Sequence, residues 1–254
     1  MNKKLSIFSL FIAVCLLCAC TKSAQSVVGT DTYDETSVPE LTTDMGEEYI
    51  DSFIFFGEST TYHIKSRGVL RGGKDTKQVW APKGGTVNLD TTIAGVKIVY
   101  PETGEEITVG EAVRIKMPQR ILLTFGLNGA VQKVRQGEKY FRSCYMMLIE
   151  EIRKNSPQTI IILQSCFPIA EDMDMSNFSV DAKTLMSHIN TINEWTRSLA
   201  KDNGLYYLNT SEALVNDSGF LKKQYDAGDG HHLTASAYLR MLEYIRTHGI
   251  KENK

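Results

Sequence analysis

Apolar and polar positions alternate along this chain in two different periods. Residues 53–56 are an unbroken run of large apolar side chains, Phe-Ile-Phe-Phe, closed by Gly57. Such a run suits a short strand buried on both faces. Residues 121–125 form a second run, closed by Gly126; residues 159–163 form a third, after Pro157; residues 205–208 form a short fourth. Between these runs the spacing becomes helical. Residues 138–154 place Phe141, Tyr145, Leu148, Ile149 and Ile152 on one face, and residues 181–202 do the same with Leu185, Ile189, Ile192, Trp195 and Leu199 before Asn203-Gly204 stops the pattern. Residues 235–248 predict a last helix with Thr234 as its N-cap. Apolar strands alternating with amphipathic helices predict an α/β fold, a parallel sheet covered on both faces. The pattern weakens between Gly68 and Gln119. There residues 74–89 and 96–114 read as short strands or hairpins, an insertion near the site.

Open α/β sheets bind ligands at the C-terminal ends of their strands. That edge here collects Ser59 after the first strand, Asn128 after the second and Ser165 after the third. A serine that acts as a nucleophile needs a base, and the base needs an acid to orient it. The segment Asp229-Gly230-His231-His232-Leu233 offers both, just ahead of the last helix. The spacing of three from acid to histidine favours His232 as the base and leaves His231 as a loop histidine facing solvent. His63, in the helix expected after Ser59, reads as a surface or packing residue.

These three segments resemble the sequence blocks of the SGNH/GDSL hydrolases. Gly57-Glu58-Ser59 is similar to their Gly-Asp-Ser block, Gly126-Leu127-Asn128-Gly129 to their Gly-x-Asn-Asp block, and Asp229 to His232 to their Asp-x-x-His block. The order is the family's own. The resemblance implies a three-layer sandwich around a central parallel sheet, the flavodoxin-like fold of that family. It also implies a serine esterase, with Ser59 as nucleophile, His232 as base and Asp229 as orienting acid. The oxyanion donors would be the Ser59 N–H, the Asn128 side chain and one glycine N–H, for which Gly85, beside Gly84, stands nearest. Two positions depart from the pattern. Glu58 replaces an aspartate, and Gly129 replaces a second one that could anchor the Asn128 loop. The implied reaction is hydrolysis of small acyl esters, O-acetyl among them, on envelope carbohydrate. An O-acyltransferase with the same triad, and a non-catalytic envelope-binding lipoprotein that kept the fold, are the other readings.

The N-terminus bears on the compartment. Asn2-Lys3-Lys4 precedes an apolar stretch at residues 5–17, too short for a comfortable membrane span and shaped like a secretory signal. Leu17-Cys18-Ala19-Cys20 resembles a bacterial lipobox, which places cleavage before Cys20 and lipid on its sulfur. The expected organisation is a signal peptide over residues 1–19, a lipidated Cys20 with a polar, flexible tether to residue 48, and a catalytic domain over residues 49–254. The protein would then sit outside the cytoplasm, held to the bacterial membrane. A net charge of −2 gives no basic footprint, so no nucleic-acid partner is expected. Of 5 cysteines, Cys15 and Cys18 would leave with the signal. Cys144 and Cys166 lie in apolar stretches and read as two buried thiols rather than a disulfide. No Cys or His spacing looks like a metal site, and no cofactor is expected.

Overall fold

A computed structural model describes residues 37–250. The signal sequence, Cys20 and most of the tether lie outside the described residues. In chain order the elements are α1 (Glu47–Asp51), β1 (Phe53–Gly57), α2 (Ser59–Ser66), β2 (Val79–Trp80), β3 (Lys97–Val99), β4 (Glu106–Thr108), α3 (Val109–Lys116), β5 (Arg120–Thr124), α4 (Ala130–Gln136), α5 (Glu138–Asn155), β6 (Ile160–Gln164), α6 (Ala182–Asp202), β7 (Tyr206–Leu208) and α7 (Ala235–Thr247). Five strands make one parallel sheet in the order β2-β1-β5-β6-β7, and β3 pairs with β4 in a separate antiparallel hairpin. Phe56, Leu123, Leu163 and Tyr207 stand side by side across four strands.

The apolar runs are buried on both faces because each strand feeds two cores. Ile54, Phe56, Ile121, Leu123, Ile161 and Leu163 point to one side, where α3, α5 and α6 bring Val113, Leu148 and Ile189. Phe53, Phe55, Leu122, Ile162 and Leu208 point to the other, where α1, α2 and α7 bring Ile50, Ile64 and Met241. Successive residues of a strand face opposite sides, so a run with no polar interruption serves a sheet with helices on both faces. This is the three-layer α/β architecture. Among the described residues no helix is long and apolar enough to cross a membrane.

Three expectations need correction. Residues 109–116 form α3, not a strand. Its start is fixed by a capping box: Thr108 Oγ1 accepts from the Glu111 N–H, and the Glu111 carboxylate accepts from the Thr108 N–H. The weakly patterned stretch near residue 80 is not wholly an insertion either, since β2 extends the main sheet beside β1. Finally, residues 37–46 are fastened to the domain rather than free in a tether. Tyr207 N donates to Ser37 O, Thr42 N to Thr247 O and Met45 N to Arg246 O, while Arg246 pairs with Asp44. Cys144 and Cys166 are both buried free thiols. Burial pushes the Cys166 thiol up, and it donates to Phe125 O at 3.2 Å.

Candidate active site

Strand β1 ends where no side chain fits at Gly57. A Cβ there would lie 2.3 Å from Thr124 O and 2.4 Å from Thr61 Oγ1. The close approach lets the chain turn straight from β1 into α2. Glu58 is the N-cap position and Ser59 the first helical residue. Ser59 Oγ lies 3.2 Å from His232 Nε2. On the far side of the ring, His232 Nδ1 lies 2.7 Å from Asp229 Oδ2. The other carboxylate oxygen, Oδ1, accepts from the backbone N–H groups of His232 at 2.8 Å and His231 at 3.1 Å. Desolvation works against the charge on Asp229. The backbone and ring bonds from His232 and the N–H of His231 outweigh it and hold the carboxyl well below the usual range. The structure therefore brings Ser59, His232 and Asp229 into one hydrogen-bonded line, with His232 rather than His231 facing the serine.

The loop before α7 is pinned from several directions. Asp226 Oδ1 accepts from the N–H groups of Gly228 and Gly230, both at 2.9 Å. Gly230 adopts a positive φ of 84° and passes so close to Met173 that a Cβ would meet its side chain at 2.6 Å. Ala170 N donates to Gly230 O at 2.7 Å. The polar stretch after Ala170 thus begins as a packed support under the loop. Two further bonds tie loop and α7 to the helix that carries Ser59: Arg67 Nε donates to Leu233 O at 3.1 Å, and Tyr238 Oη to Thr60 O at 2.6 Å.

Glu58 does something that its position as a family variant does not suggest. Its carboxylate is buried and reaches across to the loop after β5. Oε1 accepts from Gly126 N and Oε2 from Asn128 N, both at 2.9 Å. Burial raises its pKa, opposed by the nearby Lys133 ammonium and by these N–H donors. Lys133 is itself buried and donates to Asn128 O. The expectation that Gly129 leaves the Asn128 loop without a carboxylate anchor is corrected: Glu58 supplies the anchor from the neighbouring strand end. Lys133 and its bond to the loop went unnoticed in the sequence, because it sits in a short helix with only the ordinary look of a surface lysine.

Asn128 directs its side chain out of this brace, and its Nδ2 donates to Thr86 Oγ1 at 3.1 Å. The Gly85 amide is not aimed at the site. It closes a turn by donating to Pro82 O at 2.8 Å, and the Tyr62 ring lies against Gly85. Gly85 is thus corrected as an oxyanion donor, and the contact of its segment with Asn128 comes from Thr86. Ser165 is also removed from the site edge: it is buried and accepts from the Ser211 N–H.

Two more histidines meet the base. The ring of His63, one turn after Ser59 in α2, lies 4.2 Å from that of His232, and the His231 ring lies 4.1 Å from it. Asp229, His231 and His232 also hold ligand atoms within 4.8 Å of one another.

A family model, the GDSL-like Lipase/Acylhydrolase family, matches residues 55–240 of the chain. No curated protein matches it. Many solved structures are similar in fold, two of them as follows. One is a Streptococcus pneumonia protein provisionally named a platelet activating factor, with a TM-score of 0.53 and 16% identity, over 77% of this chain and 82% of that one. The other is a protein from Desulfitobacterium hafniense DCB-2 assigned to the lipolytic G-D-S-L family, with a TM-score of 0.53 and 14% identity, over 78% of this chain and 98% of that one. Matched along most of its length and folded as a parallel sheet between two helical layers, this chain belongs to the GDSL-like lipase and acylhydrolase family and is an ester hydrolase.

Proposed function

We propose that the protein is an extracytoplasmic, lipid-anchored serine esterase that removes small acyl groups, O-acetyl among them, from envelope carbohydrate. The observation that carries the chemistry is the line of bonds from Ser59 Oγ through His232 to Asp229. In this reading Ser59 attacks the ester carbonyl and His232 Nε2 takes its proton. The alcohol leaves with that proton, and water then releases the acyl group by the same route. Asp229 keeps the proton on Nδ1 and faces the imidazolium as it forms. The Ser59 N–H at the start of α2 and the Asn128 side chain receive the oxyanion. Asn128 leaves Thr86 Oγ1 to do so. A short acyl group and a polyol leaving group suit the surroundings, because the side chains gathered here are polar (Asn128, Thr86, His231) with one exposed aromatic ring, Tyr62. The placement outside the cytoplasm rests on the lipobox at Cys20.

Hydrolysis of a chromogenic acetyl ester, compared with a long-chain ester, tests the substrate class. Acetyl should be preferred, and Ser59→Ala and His232→Ala should each lower turnover by several orders of magnitude because triad members act as a unit. His231→Ala should cost far less. Preference for the long chain, or an inactive His231→Ala beside an active His232→Ala, contradicts this assignment. In cells the activity should fractionate with membranes and be released by Cys20→Ala; activity that stays on the membrane in that variant contradicts the anchor.

A further inference from the structure

The imidazole of His232 is covered on one side by His63, with centroids 4.2 Å apart and ring planes 32° from parallel. His63 belongs to α2, the helix that carries Ser59, so the nucleophile and this ring approach the base from one rigid element. The groups that face His63 are His232, His231 and Asp229 from the loop before α7, Tyr62 from α2 itself and Arg67 from its C-terminal cap. His63 Nδ1 is buried and has no hydrogen-bond partner. Protonating that atom would bury an N–H without an acceptor and set a cation beside Arg67. Only Asp229 among the neighbours would favour it. Desolvation first, then His232 and Arg67, accordingly lower the pKa of His63. The ring above the base is therefore held neutral.

A neutral aromatic face attracts a cation set over it. His232 is a cation only after it has taken the Ser59 proton. We propose that His63 is a positioning residue for the base: its uncharged ring, set against His232, favours the imidazolium that forms at the transition state and fixes the plane in which Nε2 points at Ser59. This rests on the triad assignment above. No bond is made or broken at His63, and the proton moves only from Ser59 Oγ to His232 Nε2. Because the attraction grows as charge develops, it acts on turnover rather than on substrate binding.

Two variants separate the ring from its nitrogens. His63→Leu keeps an apolar side chain of similar size but removes the aromatic face; His63→Phe keeps the face and removes the nitrogens. Thermal unfolding of both variants serves as the control that they fold. On an acetyl ester, His63→Leu should lose turnover on the order of 3- to 30-fold with KM unchanged, while His63→Phe stays close to wild type. A second readout needs no substrate. In an NMR titration of the folded protein, the midpoint of the His232 ring should move to lower pH in His63→Leu and stay in place in His63→Phe. Wild-type turnover and an unmoved midpoint in folded His63→Leu would overturn the inference, as would equal damage in both variants. Absence of ester hydrolysis in the wild type would instead sink the esterase reading, and the NMR titration would still decide whether the ring supports the imidazolium.

Discussion

At Glu58 a carboxylate that is only 2% exposed spans two N–H groups, those of Gly126 and Asn128, and lies in the field of a buried lysine. A charged group is retained in such a place only when its lone pairs are satisfied. Here they fix the backbone of Asn128, the residue whose side chain we propose meets the oxyanion. Glu58→Gln keeps the shape but offers one acceptor oxygen, so one N–H faces an amide NH2 and Lys133 loses its counter-charge. Turnover should fall on the order of 10- to 100-fold, with KM little changed. Asn128→Ala, which removes the donor itself, should lose about 100- to 1,000-fold, again in turnover. Steady-state kinetics of both on one acetyl ester check the pair; an unaffected Asn128→Ala rules Asn128 out as a donor. The Ser, Asp and His of the site were legible in the sequence because two of them lie in one short segment and the third follows an unmistakable buried strand. The brace was not, because Glu58 meets Gly126 and Asn128 across separations of 68 and 70 residues. Gly85 failed for a related reason: whether an amide is spent on Pro82 depends on a turn that residue types alone do not report.

Among the elements, the long ones could be read and the short ones could not. Helices α5 and α6 carry four or more turns of apolar spacing, and β1, β5 and β6 are five-residue runs buried on both faces. Strand β2 has two residues and takes its register from β1 rather than from its own pattern. Helix α3 is eight residues in which β-branched Val109, Val113 and Ile115 favour a strand reading, and tertiary packing against α5 together with the capping box decides otherwise. The cap is therefore a stability feature remote from the chemistry. Thr108→Ala should cost about 1 kcal/mol in urea unfolding and leave turnover on the acetyl ester at the wild-type value. A loss of turnover without a loss of stability would show that α3 reaches the site in a way its contacts do not suggest.

Over the whole molecule the site is assembled from four segments far apart in the chain: the start of α2, the turn at Thr86, the loop after β5 and the loop before α7. The parallel sheet delivers the first and third to one edge, and the last is stitched there by Arg67, Tyr238 and Ala170. Desolvation aside, the N–H donors of that last loop hold Asp229 ionised below its ordinary range. The stabilisation from Asp229 is fully present above the ordinary carboxylate value of about 3.9 and is lost only as pH falls through its lower folded value. In the proposed mechanism this assembly activates one serine, and intact-protein and peptide mass spectrometry after exposure to a fluorophosphonate ester reads that activation directly. The expected result is one adduct per chain, on Ser59, formed quickly in wild type and at a rate lower by orders of magnitude in His232→Ala. No adduct, an adduct on another residue, or equal rates in wild type and His232→Ala would contradict it.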